Sequence, residues 1–170
     1  VIAEDLGTLD GGVYKLLRDT QFPGMKVIEF AFDGNPNNPY LPENIEENSV
    51  CYTGTHDNDT LIGFIESLDD YSKQRLYSVL NSEIAAICCN DATEVKDVQS
   101  AAKAMIALAL SSESRLAVVP VQDIYYLNGE ARMNTPSFAS GNWKFRLDRF
   151  DLQKFDEYAV QCKKSGRLRS

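Results

Sequence analysis

The sequence is poor in the residues from which metal and redox sites are commonly built. It contains one histidine, His56, and its four cysteines (Cys51, Cys88, Cys89 and Cys162) do not form a CxxC pair with a matching second pair. This spacing argues against a zinc site, and we predict neither a metal nor any other cofactor. We expect the cysteines to be buried, reduced thiols of a cytoplasmic protein.

Long apolar runs and an excess of basic charge are also missing. No run is long enough to span a bilayer, and the first residues, VIAEDLG, lack the basic region of a signal peptide. A net charge of −8 argues against nucleic acid or an anionic membrane as a partner, whereas an uncharged, polar glucan is compatible with it. Because the chain begins inside an apolar run and without Met, we expect it to be part of a longer polypeptide.

Apolar runs and helical patterns alternate along the chain. Four short runs predict buried strands, at Val1–Ala3, Lys26–Phe32, Ser49–Thr53 and Leu116–Gln122. Apolar residues at helical spacing predict helices at Gly11–Asp19 (with Asp10 as its N-cap), Ser72–Cys89, Glu94–Leu110 and about Asp151 to Lys163. Strands separated by helices predict a parallel sheet covered on both faces. Four such units are either half of a (β/α)8 barrel or one small doubly wound sheet, and the pattern does not choose between them.

Three of the predicted strand ends carry an acid. Glu4 follows the first run, Asp33 the second and Asp57 the third, and active sites of α/β barrels lie at these ends. Retaining glycosyl transfer needs a protonated acid at the leaving oxygen and a carboxylate near an oxocarbenium-like centre. The arrangement fits that chemistry without demanding it, since single acids at strand ends also serve as turn residues and helix caps.

The segment Gly54–Thr60, GTHDNDT, is the densest polar cluster of the sequence. A cluster of this kind behind a buried strand costs desolvation unless its groups are paired or solvated. One interpretation is a hydrolytic or transfer site that uses Asp57, with His56 as a hydrogen-bonding group. The other is a divalent-metal site of His56, Asp57 and Asp59, although the spacing lacks the i, i+4 pair of a helical zinc motif.

An ordered set of motifs resembles glycoside hydrolase family 77, the 4-alpha-glucanotransferases. These motifs are AEDLG (3–7), PGMKVIEFAFDGNPNNPYLPEN (23–44), YTGTHDNDT (52–60), VQD (121–123), and RMNTP with GNW (132–143). The resemblance implies that residues 1–170 form a single, partial domain, the C-terminal half (strands five to eight) of a (β/α)8 TIM barrel. It also implies a retaining, double-displacement transfer of α-1,4-glucan segments.

The same resemblance implies roles for individual residues. Glu4 matches the general acid/base of the family and Asp57 its transition-state-stabilising aspartate. His56 matches a residue that contacts the donor sugar, and the other implied sugar contacts are Phe32, Asp33 and Asn134. The family nucleophile, an aspartate on strand four, would precede residue 1. Ser137 stands where many relatives have Gly, so the loop around Asn134 is expected to differ.

Three functions follow as hypotheses. The first is a part of a cytoplasmic 4-alpha-glucanotransferase that acts on maltooligosaccharide or on glucan from starch or glycogen, and that is inactive alone because the nucleophile is absent. The second is a free-standing maltooligosaccharide-binding module, and the third is a metal-dependent hydrolase. A half-barrel would also leave sheet edges and an apolar inner face exposed, so self-association is expected.

Overall fold

The computed structural model describes residues 1–87 and 94–167 of the 170-residue chain. Their elements are α1 (Gly11–Thr20), β1 (Gly24–Val27), β2 (Ser49–Tyr52), α2 (Leu61–Ser67), α3 (Asp70–Ile87), α4 (Val98–Ser111), β3 (Leu116–Val118), α5 (Val121–Ile124) and α6 (Leu152–Lys164). Short 3-10 turns lie at Ile28–Phe30, Pro42–Asn44 and Gly129–Ala131. None of the helices among these residues is long and apolar enough to cross a membrane.

The three strands form a parallel sheet in the order β1-β2-β3. The prediction of a parallel sheet with helices between its strands is therefore confirmed, but only three of the four predicted strands are present. The first predicted strand, Val1–Ala3, is wrong. This segment makes one backbone hydrogen bond to the segment before β1, from the Ala3 N–H to the Pro23 carbonyl at 2.9 Å, where a strand pair would make several. Val1 is 91% exposed. One bond without burial does not make a strand.

The other strands are shorter than their apolar runs. β1 stops at Val27, and Ile28–Phe30 form a 3-10 turn with Ile28 and Glu29 buried. β3 stops at Val118, and the end of its run begins α5. A run that is buried on both sides has no periodicity to mark where strand becomes turn, so its length overestimates the strand.

The two faces of the sheet have different neighbours. Cys51 and Ala117 are register partners and pack into the main hydrophobic core. α4 fills this core between the sheet and helices α2, α3 and α6. On the opposite face, Leu116 and Val118 remain 54% and 41% exposed. The expectation that every strand is covered on both faces is therefore wrong for β3, which lies at the edge of the sheet.

The helices begin at the residues that local chemistry favours. Asp10 accepts hydrogen bonds from the backbone N–H groups of Gly12 and Val13 at 2.8 and 3.0 Å, which confirms it as the N-cap of α1. Asp97 and Ser100 form a capping box at the start of α4. The predicted helices agree with α1, α3, α4 and α6 to within a few residues at each end. The final part of the second one, including Cys88 and Cys89, lies outside the described residues, whereas Cys51 and Cys162 are free and buried as expected.

The C-terminal segment is fixed to α4 by one guanidinium group. Arg167 donates from Nε to the Leu110 carbonyl at 2.7 Å, and its other nitrogens donate to the Ser112 and Ser114 carbonyls at 2.5 Å each. These carbonyls lie at the end of α4 and just after it, where the helix leaves acceptors without intrahelical partners. A cation at this end of the helix also interacts favourably with its dipole.

Replacing Arg167 with alanine should therefore destabilise the chain. Hydrogen bonds to charged groups contribute about 1.5–3 kcal/mol in total for a partly exposed site of this kind, so we expect a loss of that order in chemical denaturation. Arg18→Ala, on the exposed surface of α1, is the matched control and should change the unfolding free energy by less than about 0.5 kcal/mol. Equal unfolding midpoints for the two variants would contradict the role of Arg167.

Candidate functional site

A cleft of about 860 Å³ opens on the sheet face opposite the main core. The sheet contributes Met25, Tyr52 and Val118, whose side chains form its floor. The N-terminal segment and the loop after β2 form its polar walls, so that the cleft gathers Glu4, His56 and Asp57. The structure thus brings together both predicted catalytic carboxylates and one of the predicted sugar contacts.

Glu4 is held in place by its neighbours in sequence. The Met25 N–H donates to Asp5 Oδ1 at 2.5 Å, and the Ala3 N–H donates to the Pro23 carbonyl. These bonds lie on either side of Glu4 and fix the segment against β1. Gly24 permits this approach, because a Cβ there would lie 2.4 Å from Asp5 Oδ2.

The loop after β2 is folded around Asn58. Its Oδ1 accepts from the Thr55 N–H at 2.9 Å and from Thr55 Oγ1 at 2.8 Å. The Asp57 N–H in turn donates to Thr55 Oγ1 at 3.3 Å. The side chains of Thr55 and Asn58 therefore substitute for backbone partners in a tight turn. The turn leaves the side chains of His56 and Asp57 on the cleft side, about half exposed.

Asp57 is contacted by a second loop, which runs from Arg132 to Trp143. Asn134 Nδ2 donates to Asp57 Oδ1 at 2.5 Å, and the Asn134 N–H donates to the His56 carbonyl at 3.1 Å. Asn134 does not itself line the cleft, but it orients a carboxylate that does. Ser137 adopts a positive φ of 71° in this loop, a conformation that glycine reaches at lower cost.

His56 lies between the carboxylate and an aromatic ring. Its Nε2 is 3.4 Å from Asp57 Oδ1, and its ring centroid is 5.1 Å from that of Trp143, with the planes tilted by 38°. The Trp143 N–H donates to the Met133 carbonyl at 2.7 Å, which fixes the tryptophan backbone at a positive φ of 61°. Trp143 remains 55% exposed, so part of its ring is open to solvent beside the site.

Arg132 ties the two loops together. Its Nη2 donates to the Asp57 carbonyl at 2.6 Å and its Nε to the Asn134 carbonyl at 2.7 Å. Its Nη1 lies 3.8 Å from Asp59 Oδ2. The planar guanidinium fork can satisfy these separate acceptors at once, which an ammonium group cannot do in the same geometry.

Two predicted sugar contacts lie elsewhere. Asp33 is exposed in a turn, where it accepts from the Asn35 N–H at 2.9 Å. Hydrogen bonds from the Asn38 side chain and the Asn35 backbone lower the pKa of Asp33. Phe32 packs against the hydrophobic core, and Phe30 is the aromatic residue of this segment that lines the cleft. The sugar-binding roles of Phe32 and Asp33 remain predictions.

Two buried acids beneath the loop were not among the predicted site residues. Asp123 is 2% exposed; it accepts from Thr53 Oγ1 at 2.6 Å and from the Leu61 N–H at 2.8 Å. Burial raises the pKa of Asp123, although these two hydrogen bonds oppose the effect. The hydrogen bonds from Thr53 and Leu61 to Asp123 join the end of β2 to the start of α2. In sequence Asp123 directly follows a predicted strand, the same signal that pointed to Glu4 and Asp57.

Glu29 is the second buried acid. It is 8% exposed and its Oε2 accepts from Asn58 Nδ2 at 3.0 Å. Burial, followed by the negative charge of Asp123, raises the pKa of Glu29 to about 8. The sequence does carry a signal for this acid, because Glu29 interrupts the apolar run VIEF. Buried acids of this kind need a specific partner.

The hypothesis of a metal site can be compared with this geometry. Within residues 1–87 and 94–167, no group of three or more His, Cys, Asp or Glu side chains is placed to hold a metal ion. Asp59 points toward Arg132, and Asp57 toward Asn134. The acids of the HDND segment therefore have different protein partners and do not converge.

Comparison with known proteins shows which family the chain is similar to. The family model of glycoside hydrolase family 77, described as 4-alpha-glucanotransferase, matches residues 1–152. The chloroplastic/amyloplastic 4-alpha-glucanotransferase of Oryza sativa is 42% identical over 147 residues, which are 86% of this chain and 23% of the relative. The 4-alpha-glucanotransferase of Thermus thermophilus is 40% identical over 149 residues, 86% of this chain and 28% of the relative. The chain thus spans about a quarter of the length of these curated relatives.

Solved structures agree with this assignment. An amylomaltase from Streptococcus agalactiae in complex with acarbose superposes with a TM-score of 0.79 at 26% identity, covering 99% of this chain and 32% of that structure. An amylomaltase from Corynebacterium glutamicum superposes with a TM-score of 0.69 at 18% identity, covering 99% of this chain and 29% of its own. The second similarity supports the fold alone.

Arg132→Lys should loosen the contact between the two loops. One ammonium group cannot replace hydrogen bonds to the Asp57 and Asn134 carbonyls together, so we expect a loss of about 1–2 kcal/mol in unfolding free energy and a red-shifted, more quenchable Trp143 emission. Arg18→Lys is the control, since Arg18 is exposed on α1 and lies in neither loop. Wild-type quenching of Trp143 in Arg132→Lys would contradict the coupling.

Glu29→Gln should make stability less dependent on pH. The pKa of Glu29 is raised in the folded chain from 4.5 to about 8, so folding binds a proton between these values and stability falls as the pH rises through that window. The decrease due to this group is on the order of 1 kcal/mol per pH unit. Glutamine removes it, so the variant should become more stable than the wild type toward pH 8, which thermal unfolding from pH 5 to 9 would measure. A difference independent of pH would contradict the buried, neutral state of Glu29.

Proposed function

Because this chain belongs to glycoside hydrolase family 77, the 4-alpha-glucanotransferases, we propose that it is the part of such an enzyme that supplies Glu4 and Asp57 to the active site. In this proposal Glu4 is the general acid/base and Asp57 stabilises the transition state of a retaining, double-displacement transfer. The observation that carries it is the single cleft that both carboxylates line together with His56.

The chemistry of these groups supports the proposed roles. Retaining transfer places a positively charged, oxocarbenium-like centre between two or more carboxyl groups. Asp57 is suited to stabilise this centre because two contacts fix its place. Asn134 binds its side chain, and Thr55 binds its backbone N–H. Glu4 lines the same cleft from a different segment of the chain, as a separate proton donor to the leaving oxygen would.

A third carboxylate is required for the covalent step. Among the described residues, Glu4 and Asp57 are the acidic side chains that line the cleft. Asp33 is exposed in a distant turn, and Glu29 and Asp123 are covered by the loop. We propose that the nucleophile comes from outside residues 1–170, and that these residues belong to the region of strands five to eight of a (β/α)8 barrel, of which β1, β2 and β3 supply three strands, as one partial domain.

The open edge of the sheet supports the proposal that the isolated chain self-associates. Leu116 and Val118 at the edge strand are about half exposed, and an uncovered apolar strand invites pairing with another chain. The isolated chain would then self-associate, and in the whole enzyme the remaining strands would cover this edge. We propose that the whole enzyme is cytoplasmic or, like the chloroplastic/amyloplastic relative of Oryza sativa, located in a plastid.

The ligand in this proposal is a maltooligosaccharide or a glucan derived from starch or glycogen. The similar amylomaltase of Streptococcus agalactiae binds acarbose, an oligosaccharide ligand. Aromatic side chains suited to sugar faces lie in and beside the cleft: Phe30 and Tyr40 belong to its lining, and Trp143 packs against His56. Neither metal nor cofactor is needed for carboxylate-based glycosyl transfer.

The isolated chain should not transfer glucan. Without the nucleophile the covalent intermediate cannot form, so incubation with maltotriose should yield no glucose and no longer maltodextrins above a blank by chromatography. A full-length relative such as the Thermus thermophilus enzyme is the positive control. Product formation at the rate of that control would overturn the proposed division of the active site.

The isolated chain should still bind an oligosaccharide ligand although it does not transfer glucan. We expect acarbose to bind the isolated chain weakly. Each of the single variants Asp57→Asn and Trp143→Ala should reduce this affinity by about tenfold or more, as the loss of one charged or aromatic contact does. Glu83→Gln, on α3 and away from the cleft, should bind as the wild type does. Calorimetric titration would measure this. Binding as tight as that of a dedicated module, in the low micromolar range, would instead favour a free-standing maltooligosaccharide-binding module.

A further inference from the structure

Glu29 is buried directly beneath the loop that carries His56 and Asp57. The residue is only 8% exposed. Its Oε2 accepts a hydrogen bond from Asn58 Nδ2. The other oxygen, Oε1, has no hydrogen-bond partner among residues 1–87 and 94–167. A Cβ at Gly54, in the wall of the cleft, would lie 2.9 Å from this oxygen, so a residue larger than glycine would displace the carboxyl group.

Asn58 transmits the position of Glu29 to the loop. Its Oδ1 is occupied by both donors of Thr55, which leaves Nδ2 for Glu29 and fixes the orientation of the amide. Thr55 Oγ1 then accepts from the Asp57 N–H. A continuous path of hydrogen bonds therefore runs from the buried carboxyl group to the backbone of Asp57.

The surroundings of Glu29 disfavour a charge at this place. Asp123 and Asp59 face it with negative charge, and Arg132 is the cation that faces it. Arg132 is already engaged by the Asp57 and Asn134 carbonyls and lies 3.8 Å from Asp59. A carboxylate with one oxygen lacking a donor is poorly solvated in such a site, whereas a neutral carboxyl group still accepts the hydrogen bond of Asn58.

We propose that Glu29, as a neutral carboxylic acid, is a positioning residue that holds Asn58 and thereby sets the place of His56 and Asp57 in the cleft. This inference rests on the proposed function only for its consequence in glucan binding. When the proton leaves, the buried charge repels Asp123 and Asp59 and the loop moves from its place. The raised pKa of Glu29, about 8, sets the pH at which this occurs.

Two unique side chains make the loop observable without any ligand. The chain has one tryptophan and one histidine, and their rings are in contact. The emission of Trp143 and the NMR signals of the His56 ring therefore report on the loop directly. We expect the Trp143 emission of the wild type to change between pH 7 and 9 with a midpoint near 8.

The variants separate Glu29 from other titrating groups. Glu29→Gln keeps a hydrogen-bond acceptor for Asn58 but cannot ionise, so its Trp143 emission should show no transition near pH 8 and should equal that of the wild type at pH 7. Glu83→Gln, whose carboxyl group on α3 also has a raised pKa, is the matched control and should keep the wild-type transition. Should Glu29→Gln fail to fold, Asp123→Asn tests the same point, because removing the facing charge should move the midpoint to lower pH.

Acarbose titration then tests the consequence for the site. We expect the wild-type affinity to fall about threefold to tenfold between pH 7 and pH 9, and that of Glu29→Gln to change by less than about twofold. If none of the proteins binds acarbose, the proposed function fails, but the spectroscopic transition still decides the role of Glu29. A transition near pH 8 that persists in Glu29→Gln, or its absence from the wild type, would overturn the inference.

Discussion

The hydrogen bonds of Asn58 are the constraint on which the candidate site depends. The amide joins the buried carboxyl group of Glu29 to the turn at Thr55, and the turn places His56 and Asp57 on the cleft. Asp123 fixes the two ends of the same loop by binding Thr53 and the first N–H of α2. Such buried polar networks are stable only when their members are nearly all satisfied, so the position of the exposed site residues is decided by residues that no ligand touches.

The second loop completes the site from the outside. Arg132 and Asn134 bind the backbone and the carboxylate of Asp57, and Trp143 covers one face of His56. These residues are more than seventy positions away from Asp57 in sequence, which is why the site requires the folded sheet. The carboxyl ends of parallel strands gather such loops at one edge, and the chain that forms this edge belongs to glycoside hydrolase family 77.

The sequence predicted the parts that depend on local chemistry. Asp10 as a helix cap, the parallel order of strand and helix, and acids at strand ends all follow from short-range patterns. It did not reveal that Val1–Ala3 lacks a ladder or that Phe32 packs into the core while Phe30 faces the cleft, because a run that is apolar throughout does not indicate its orientation. Glu29 was overlooked for the opposite reason: an acid inside such a run looks like an interruption, and its role depends on Asn58, twenty-nine residues later.

We propose that glucan binds in the cleft at the strand ends and not in the other large groove, which lies between α4 and α6 and is lined by Lys103 and Gln161. The most direct measurement is an NMR titration of the isotope-labelled chain with acarbose, with the backbone signals assigned. We expect the largest chemical-shift changes at Glu4, His56 and Asp57, and none at Lys103 and Gln161. Shift changes confined to Lys103, Gln161 and their neighbours would contradict it.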